Sequence, residues 1–507
     1  MPFIDILRLV IYKWLKTFKI GLLLHVFVFM CGIVGIIGNK PVSHLLYHGL
    51  FAIQHRGQSS AGKLTYDGNI HIYKDFGLVR DVFNEEKKIS TPGNLGLGHT
   101  RYSTAGYDDM EALKRNAQPE YVINPFLAAV HNGNIYNCSE MTHETKRKPR
   151  TDCDIQWLLL PLADRLYNET INAEAIFDAA EQLMPKLKGS YSALFITDSG
   201  ENPLLFALTD PYKFRPLVLG QKDGMFCLCS ETRVFKKIGF KYIKDIPGGS
   251  AIVIDQDGNI SEKQIIKKPE KPCMFEFVYF AKPDSRIKQR SVHNTRVEIG
   301  RRLAIEAPVD ADIVCPVPES GRRYATGFSR ESGIPLEEGL MKDKAERSFI
   351  QQTQESRDKI VQEGLSFIRS VLRDKRVVLV DDSIVRGTNI RKLVQGIRNA
   401  GAKEIHVRIG CPPLIAPCYL GVDMRSRTEF IAQNDGGSIK SWDNIAKEIG
   451  ADSLAYISKK SLKEAIGFDI CMGCIDFPDG YPPELREDVT KFLKNDKSGK
   501  RAYEICE

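Results

Sequence analysis

The sequence predicts a two-domain protein, an α+β layered domain followed by an α/β domain built on a parallel sheet. Its 507 residues are enough for two or three domains that each bury a core. Short β-patterns with frequent glycine turns run from residue 31 to about 265, which is typical of a layered α+β domain. After residue 311 the strands become almost continuously apolar and alternate with helical stretches, as in a doubly wound parallel sheet.

In the first domain, placed at residues 31–265, helical periodicity occurs at Ile155–Tyr167 and Ile171–Met184. Predicted strands of this domain include 68–73, 127–130 and 191–196. The basic, proline-bearing stretch Lys267–Pro272 after this domain predicts a linker.

The second domain is placed at residues 273–470, and residues 471–507 form a C-terminal tail that begins with a Cys-x-x-Cys motif. The apolar runs that predict its parallel strands are Ile313–Val317, Arg376–Val380 and Glu404–Ile409. A helix is predicted over Ile390–Ala400, with Gly401 as its stop signal.

Composition limits the class of protein. A net charge of +7 over 507 residues is mild, so it suits small anionic substrates without requiring nucleic acid. Most of the twelve cysteines are scattered singly through apolar strands, unlike the dense even pairs of secreted domains. We therefore expect a cytoplasmic protein that binds neither nucleic acid nor membranes.

Residues 1–30 differ in character from the rest of the chain. An 11-residue apolar run ending at Met30 comes after Lys13, Lys16 and Lys19, but it is too short to span a bilayer comfortably and lacks a small-residue cleavage site. Three interpretations remain: Met30 is the true initiator, residues 1–30 are a propeptide, or the segment is a membrane anchor. The first two expose the α-amine of Cys31.

Cys31 opens a β-rich run punctuated by glycine, Cys31-Gly32-Ile33-Val34-Gly35. A cysteine at the start of a working chain carries its own base, because the α-amine has a pKa of about 8 and can accept the thiol proton. A cysteine that opens a strand is by itself more often a small buried apolar residue. The neighbouring motifs decide between the two interpretations.

Four polar clusters accompany Cys31, and most of them contain glycine and adjoin a strand. They are Gln54–Gly62, Gly98–Gly106, His131–Asn137 and Asp152–Asp154. In order, spacing and content they resemble the class II, N-terminal-nucleophile glutamine amidotransferases. This resemblance implies an αββα glutaminase fold for the first domain.

The resemblance also implies roles for individual residues. The Arg101 guanidinium would bind the α-carboxylate of glutamine through two hydrogen bonds, and the Asp154 carboxylate would bind its α-ammonium group. Attack of the Cys31 thiolate on the side-chain amide creates an oxyanion, which needs two placed donors. The resemblance assigns them to the Asn132 side chain and the Gly133 N–H, although an Asn-Gly pair is also a common hairpin turn.

A second strong motif begins where the strand ending at Val380 gives way to Asp381-Asp382-Ser383 and then Arg386-Gly387-Thr388. Adjacent carboxylates can hold ribose hydroxyls and Mg²⁺, and the loop and helix N-terminus can cradle a phosphate. A carboxylate pair that merely caps the next helix is the simpler alternative. The run resembles the phosphoribosyl pyrophosphate (PRPP) signature of type I phosphoribosyltransferases.

The segment Pro316–Gly321 resembles the pyrophosphate-side loop of those enzymes, with Ser320 close to the metal. The pairing of the two domains resembles the amidophosphoribosyltransferase family, and Phe275–Ser285 is similar to the linking segment of that family. The resemblance extends from Cys31 to Gly480.

Three segments depart from the pattern of the family. Met341–Ile350 lacks the expected tyrosine and is one residue shorter than the family pattern. Val361–Leu365 lacks the two basic residues expected there. Thr209 and the pair Lys213-Phe214 replace an arginine and a glycine-containing pair. The catalytic and Asp381-Asp382 motifs are intact, so the departures concern loop closure, nucleotide feedback, the acceptor substrate and PRPP use.

The Cys471-x-x-Cys474 motif alone is compatible with zinc, redox or cluster chemistry. Cys273 lies in the linking segment, and Cys418 follows a proline-rich run. In the iron–sulfur branch of the resembling family, four cysteines in these contexts bind a [4Fe–4S] cluster. Structural zinc, or buried cysteines beside a coincidental motif, are the alternatives.

The resemblance implies a bifunctional enzyme that hydrolyses glutamine at Cys31 and passes ammonia to Mg-PRPP. Its products would be 5-phosphoribosylamine, glutamate and pyrophosphate, in the first committed step of purine synthesis. The expected partners are glutamine, PRPP and further copies of the chain. A divergent paralogue that senses PRPP or a nucleotide is the alternative. Another class II amidotransferase is disfavoured by the Asp381-Asp382 run.

Overall fold

The computed structural model describes residues 30–101, 114–198, 202–342, 364–422, 424, 430–434 and 438–495. Most of the N-terminal segment, residues 343–350 and 361–363 of the departing loops, and Cys506 lie outside these ranges. Within the described ranges, no helix is both long and apolar enough to cross a membrane.

The first domain contains two antiparallel sheets. Its strands are β1 Gly32–Ile37, β2 Ser60–Tyr66, β3 Ile70–Phe76, β4 Leu95–Arg101, β5 Glu120–Val122, β6 Leu127–Ile135, β7 Gly189–Asp198, β8 Pro203–Thr209, β9 Val218–Lys222, β10 Met225–Cys229, β11 Lys241–Asp245, β12 Ser250–Asp255 and β13 Ile260–Gln264. The seven-stranded sheet has the order β11-β9-β10-β1-β4-β2-β3, and the six-stranded sheet has the order β13-β12-β8-β7-β6-β5.

Helices cover the outer face of each sheet. They are α1 Ser43–Ala52, α2 Val79–Val82, α3 Glu86–Ile89, α4 Cys138–Met141, α5 Gln156–Arg165, α6 Ala173–Leu183 and α7 Arg233–Ile238, with 3₁₀ turns at Thr142–Glu144 and Met184–Lys186. Successive side chains of a strand point to opposite faces of the sheet. On β1, Ile33 and Ile37 therefore lie in the core between the two sheets. Val34 and Ile36 lie in the core between the sheet and helices α1 and α7. The layers are therefore helix, sheet, sheet and helix, which confirms the predicted α+β fold.

The second domain has a parallel sheet of four neighbouring strands, in the order Ile313–Pro316, Arg376–Asp381, Glu404–Ile409 and Ser453–Tyr456. The strands are β14 Arg286–Ile287, β15 Arg290–Ser291, β16 Ile313–Pro316, β17 Leu340–Lys342, β18 Leu365–Phe367, β19 Arg376–Asp381, β20 Glu404–Ile409 and β21 Ser453–Tyr456. The helices are a π turn at Glu276–Phe280, α8 Val292–Glu306, α9 Arg322–Ser332, α10 Arg369–Leu372, α11 Thr388–Asn399, α12 Trp442–Ile449, α13 Lys459–Ile466, a 3₁₀ turn at Pro483–Leu485 and α14 Arg486–Asn495. The predicted parallel sheet is confirmed.

Helix α11 shows why the sequence prediction succeeds in this domain. Ile390, Leu393, Val394 and Ile397 recur at helical spacing and are all buried against the sheet side of the helix. The helix begins two residues before the predicted start and ends just before Gly401, whose φ of +100° suits glycine. This arrangement places the N-terminus of α11 beside the end of β19.

The two domains share one continuous core. Buried Met30, Tyr136, Tyr212 and Phe214 of the first domain pack in the same apolar cluster as the second domain's sheet and helices. The junction is therefore packed like a domain interior.

Candidate active sites

Cys31 lies immediately before β1 and is half-buried. Gly32 pairs with Thr100 of the antiparallel strand β4, so Cys31 and Arg101 lie at the same end of neighbouring strands. The carbonyl oxygen of Cys31 accepts a hydrogen bond from Nε of Arg56 at 3.0 Å. The structure thus brings the predicted nucleophile close to the predicted carboxylate-binding arginine.

Asn132 and Gly133 lie on β6, and the facing sheet contacts this strand through a hydrogen bond of 3.1 Å between His99 Nε2 and the His131 carbonyl oxygen. Asn132 is buried, and no group in the described residues accepts a hydrogen bond from its Nδ2. A Cβ on Gly133 would lie 1.9 Å from the Ser190 carbonyl oxygen, so only glycine fits there. Buried donors normally have an acceptor, and an oxyanion formed here would accept the hydrogen bond that Asn132 Nδ2 lacks.

Asp154 is held by β6. Its Oδ2 accepts hydrogen bonds of 3.0 Å from His131 Nε2 and from the Ile135 N–H. Burial opposes ionisation, but the charge and hydrogen bond of His131 outweigh it and lower the pKa of Asp154. Arg101 lies near enough to contribute to the same lowering, while its Nη1 donates to the Asn116 carbonyl oxygen at 2.6 Å. A cation and an anion therefore lie close to each other, and Arg101 is at the same strand end as Cys31.

Arg56 is a functional candidate that the sequence analysis missed. Its side chain is fully buried and bridges Glu231, at 2.8 Å, and Glu276 of the π turn, at 2.6 Å, while Nε holds the Cys31 backbone. His55 adds a contact of 2.8 Å to Glu231. The Gln54–Gly62 cluster drew attention to this segment, but nothing in the sequence links Arg56 to two distant glutamates.

The second candidate site lies at the carboxyl edge of the parallel sheet. Val317 N–H donates to the Val380 carbonyl oxygen at 2.9 Å, and Ser320 Oγ donates to Asp381 Oδ1 at 2.9 Å. Ligands of open α/β sheets bind at this edge. The structure therefore brings Ser320 and the Asp381-Asp382 pair together.

The loop after Asp382 leads directly into α11. Ser383 Oγ donates to Asp382 Oδ1 at 2.7 Å, Arg386 is half-buried, and Gly387 has a φ of +76° at the start of the helix. Thr388 is the first helical residue. The free N–H groups of a helix N-terminus favour a phosphate at this place.

The two adjacent carboxylates have an unfavourable environment for negative charge. Burial, followed by the charge of Asp382, raises the pKa of Asp381 well above its usual value, and burial also raises the pKa of Asp382. A divalent cation would relieve both effects, and oxygen ligands are those that Mg²⁺ prefers. Since Mg²⁺ is often bound by one or two carboxylates together with substrate phosphates, this pair fits it.

Cys273, Cys418, Cys471 and Cys474 line one small enclosed cavity, which the buried Arg215 also lines. The segments are held by main-chain hydrogen bonds, since Cys471 N–H donates to the Pro272 carbonyl oxygen and Ile415 N–H donates to that of Cys474. Burial raises the pKa of the Cys273 thiol to about 11 and raises those of Cys471 and Cys474 as well. The thiols of Cys273, Cys471 and Cys474 would therefore ionise only when bound to metal.

Among the described residues, no group of three or more His, Cys, Asp or Glu side chains is arranged to hold a single metal ion. A four-iron cluster makes a different demand, because each of its four cysteines binds a different iron and the sulfurs surround a cavity. Four thiols that line one cavity without converging on a single ion fit such a cluster, and the buried arginine suits its negative charge. The described cysteines form no disulfide.

The segment that comes after Cys418 packs directly on β6. Asn134 Nδ2 donates to the Tyr419 carbonyl oxygen at 2.9 Å, and Ser190 Oγ donates to that of Leu420 at 2.8 Å. A Cβ on Gly421 would lie 2.8 Å from the Gly133 carbonyl oxygen. The cysteine cavity and the candidate oxyanion strand are therefore neighbours.

Comparison with known proteins agrees with this arrangement. Residues 100–237 match the family model described as a glutamine amidotransferase domain. The chain is 42% identical over 484 residues to an amidophosphoribosyltransferase from Methanocaldococcus jannaschii, covering 90% of this chain and 98% of that protein. It is 39% identical to one from Mycobacterium leprae, covering 90% and 83% of the two chains. A solved glutamine PRPP amidotransferase from B. subtilis, complexed with ADP and GMP, superimposes with a TM-score of 0.77 at 33% identity, covering 89% of this chain and 97% of that one.

The fold and the two candidate active sites together define a glutamine amidotransferase domain joined to a phosphoribosyltransferase domain. With relatives this similar over nine-tenths of its length, the chain belongs to the amidophosphoribosyltransferase family. The predicted family is confirmed.

Proposed function

We propose that this protein converts PRPP, glutamine and water to 5-phosphoribosylamine, glutamate and pyrophosphate, at the first committed step of purine biosynthesis. The observation that carries the proposal is the presence, in one chain, of two groups: an unsatisfied Asn132 donor on β6, the strand that holds Asp154, and a Ser320–Asp381–Asp382 group at a parallel sheet edge. The first suits amide hydrolysis, and the second suits a phosphorylated sugar. We also propose a cytoplasmic location and assembly into a homo-oligomer.

In the glutaminase site, the α-amine of Cys31 accepts the thiol proton, and the thiolate attacks the side-chain amide carbon of glutamine. This step requires that residues 1–30 are absent from the active protein, so that the amine is free. Asn132 Nδ2 and Gly133 N–H stabilise the oxyanion. The α-ammonium of Cys31 then returns its proton to the amide nitrogen, the C–N bond breaks, and ammonia leaves as the thioester forms. Water then hydrolyses the thioester to glutamate, while Arg101 and Asp154 hold the α-carboxylate and α-ammonium groups.

Replacing Asn132 with Ala is expected to lower kcat for glutamine hydrolysis about 100- to 1,000-fold, because one oxyanion donor is lost. KM for glutamine should change little, since the donor acts mainly in the transition state. Glutamine hydrolysis by the purified variant measures both constants. Asn137→Ala, which removes a buried asparagine that already has partners, is the matched control and should leave kcat within a few-fold of wild type.

In the second site, the N-terminus of α11 and the loop from Ser383 to Thr388 hold the 5-phosphate of PRPP. Asp381 and Asp382 hold ribose hydroxyls and, with Ser320, would hold Mg²⁺. When bound, Mg²⁺ neutralises the charge that develops on the pyrophosphate leaving group. Ammonia attacks C1 of the ribose, the bond to pyrophosphate breaks, and the attacking nitrogen then loses a proton.

Asp381→Asn is expected to lower the rate of phosphoribosylamine synthesis at least about a hundredfold, because a carboxylate that holds the metal is worth several kcal/mol in the transition state. Free ammonia should be the nitrogen donor in this assay, so that the glutaminase site is bypassed. Asp443→Asn, an exposed carboxylate of the same domain, should keep the wild-type rate. Equal rates for the two variants would show that Asp381 has no role in phosphoribosylamine synthesis.

We propose that Cys273, Cys418, Cys471 and Cys474 bind a [4Fe–4S] cluster with a structural role, since neither half-reaction has a redox step. Anaerobically purified protein should contain about four irons per chain, and Cys418→Ser should lose iron and stability. Cys411→Ala is the matched control, because this buried cysteine lies near the four but does not line their cavity. Stoichiometric zinc without iron, in protein made with sufficient iron, would contradict the assignment.

The proposed reaction is tested by a steady-state assay of purified protein with glutamine, PRPP and Mg²⁺. Pyrophosphate and glutamate should form in equal amounts, and both should depend on all three components. PRPP binding without turnover would instead identify the divergent sensor.

A further inference from the structure

A cavity of about 370 Å³ is lined by residues of the first domain and of the segment that links it to the second. Its walls come from Lys213 and Pro216, from residues 242–247 of β11 and the loop after it, from Glu270 and Pro272 of the linker, from Glu276 of the π turn, and from the turn at Ile287–Gln289. Cavities of this size are typical of sites for small organic ligands. None of the residues that we assign to catalysis or to the cluster lines it.

Lys213 is the exceptional residue in this cavity. It is only 5% exposed, and no group in the described part of the chain accepts a hydrogen bond from its Nζ. Burial lowers its pKa to about 8, against the opposing influence of Asp245 and neighbouring carboxylates, so that the amine is still mostly protonated at neutral pH. A buried cation without a hydrogen-bond partner destabilises a fold.

The backbone at Lys213 is also unfavourable, because its φ of +56° lies in the left-handed region that glycine prefers. Six non-glycine residues have positive φ in the described ranges, and Lys213, Lys288 and Gln289 of this cavity are three of them. Residues in such conformations are concentrated at functional sites, where binding compensates for the strain. Lys213 therefore disfavours the fold both by its charge and by its backbone.

The three carboxylates that line the cavity already have partners, and that of Glu276 is Arg56 at 2.6 Å. Asp245 accepts hydrogen bonds from the Tyr242 hydroxyl at 2.6 Å and from the Lys288 N–H at 3.2 Å. Glu270 contacts Lys288 Nζ at 2.7 Å and accepts a hydrogen bond from the Gly248 N–H at 2.9 Å. The Lys213 ammonium can therefore donate hydrogen bonds to a ligand in the cavity. Because it is positively charged, it favours a ligand with an anionic group.

We propose that this cavity binds a small organic anion, a carboxylate or phosphate monoester on a compact aromatic body. The anionic oxygens accept hydrogen bonds from Lys213 Nζ, and the body lies against Tyr242, Ile246, Pro247 and Ile287. Asp245, Glu270 and Glu276 line the same cavity, so a ligand with one anionic group is favoured over a polyanion. The proposal does not depend on the catalytic assignments.

Isothermal titration calorimetry with benzoate, phenyl phosphate and inorganic phosphate tests the site on wild type and on Lys213→Gly. We expect benzoate or phenyl phosphate to bind wild type more tightly than inorganic phosphate does, and the aromatic probe that binds identifies the anionic group. Lys213→Gly should weaken that binding about ten- to a hundredfold, as expected for a hydrogen bond from a charged donor. Binding at the PRPP phosphate loop or at Arg101 is common to both proteins and does not produce a difference.

Thermal unfolding of the same proteins separates binding from folding. Lys213→Gly should unfold at a higher temperature than wild type, because it removes both the unpartnered cation and the backbone strain. Lys63→Met is the matched control: this buried lysine donates to Ser43 Oγ and to the carbonyl oxygens of Lys88 and Ile89, so its loss should lower the unfolding temperature and leave probe binding unchanged. The proposal is overturned if no aromatic probe binds wild type at millimolar concentration, if Lys213→Gly binds as tightly as wild type, or if Lys213→Gly lowers the unfolding temperature.

Discussion

Cys31→Ser is expected to lower glutamine-dependent synthesis at least about a thousandfold, because the serine hydroxyl ionises far less readily than a thiol and the nucleophile carries the whole amide-cleaving step. Synthesis from high concentrations of free ammonia should stay close to the wild-type rate. The structure supports this separation, since Cys31 precedes β1 of the first domain whereas Asp381 and Asp382 lie at the sheet edge of the second. Parallel assays with glutamine and with ammonium chloride measure the two rates.

Cys138→Ser is the control for this experiment. Cys138 is also half-buried, but its thiol donates to the Ile135 carbonyl oxygen and has no proposed catalytic role. Both activities of Cys138→Ser should therefore match those of wild type. If a folded Cys31→Ser protein lost ammonia-dependent synthesis to the same extent as glutamine-dependent synthesis, the two-site assignment would be wrong.

Arg56→Met should destabilise the protein by about 3–5 kcal/mol, the usual cost of removing one partner from a buried ion pair. Glu231 and Glu276 would lose the guanidinium that lies between them, and Glu276 is completely buried. Glutaminase activity should fall too, since Arg56 Nε fixes the backbone of Cys31. Urea denaturation, followed by fluorescence, measures the loss of stability.

Two further variants test the electrostatic explanation. Adding Glu276→Gln to Arg56→Met removes one unpaired charge and should recover part of the lost stability. Arg80→Met breaks an exposed pair with Asp81 and should cost no more than about 1 kcal/mol. Equal losses for Arg56→Met and Arg80→Met would show that burial of the Arg56 group has no special importance.

The pattern of the sequence predicted the second domain in most detail. Its parallel strands are buried on both faces, so they appear as continuous apolar runs, and the Glu404–Ile409 strand has the predicted bounds. Because parallel strands present their carboxyl ends at one edge, the contact between Ser320 and Asp381 follows from the two motifs. In the first domain the periodicity predicted helices near Gln156–Arg165 and Ala173–Leu183, but local patterns do not specify the order of strands in two antiparallel sheets.

The Arg56 group and the Lys213 cavity show what the sequence did not reveal. Glu276 stands in an almost wholly apolar segment, Phe275–Phe280, and Arg56 lies 220 positions before it. Charged residues so far apart are ordinarily interpreted as separate solvated groups, because only the folded chain shows that they are buried together. Likewise, the positive φ of Lys213 is imposed by tertiary structure, since lysine itself does not favour that conformation.

The close approach of Gly421 to Gly133 limits how this protein could be recombined. Modular enzymes can exchange a partner domain when the shared surface is polar and loosely packed. Here a backbone segment of the second domain lies against the candidate oxyanion strand with no room for a Cβ, and Asn134 and Ser190 donate to its carbonyl groups. A transplanted glutaminase half would expose that strand and leave those donors to water. The glutaminase half is therefore expected to work only beside a partner that supplies the same glycine-bearing segment.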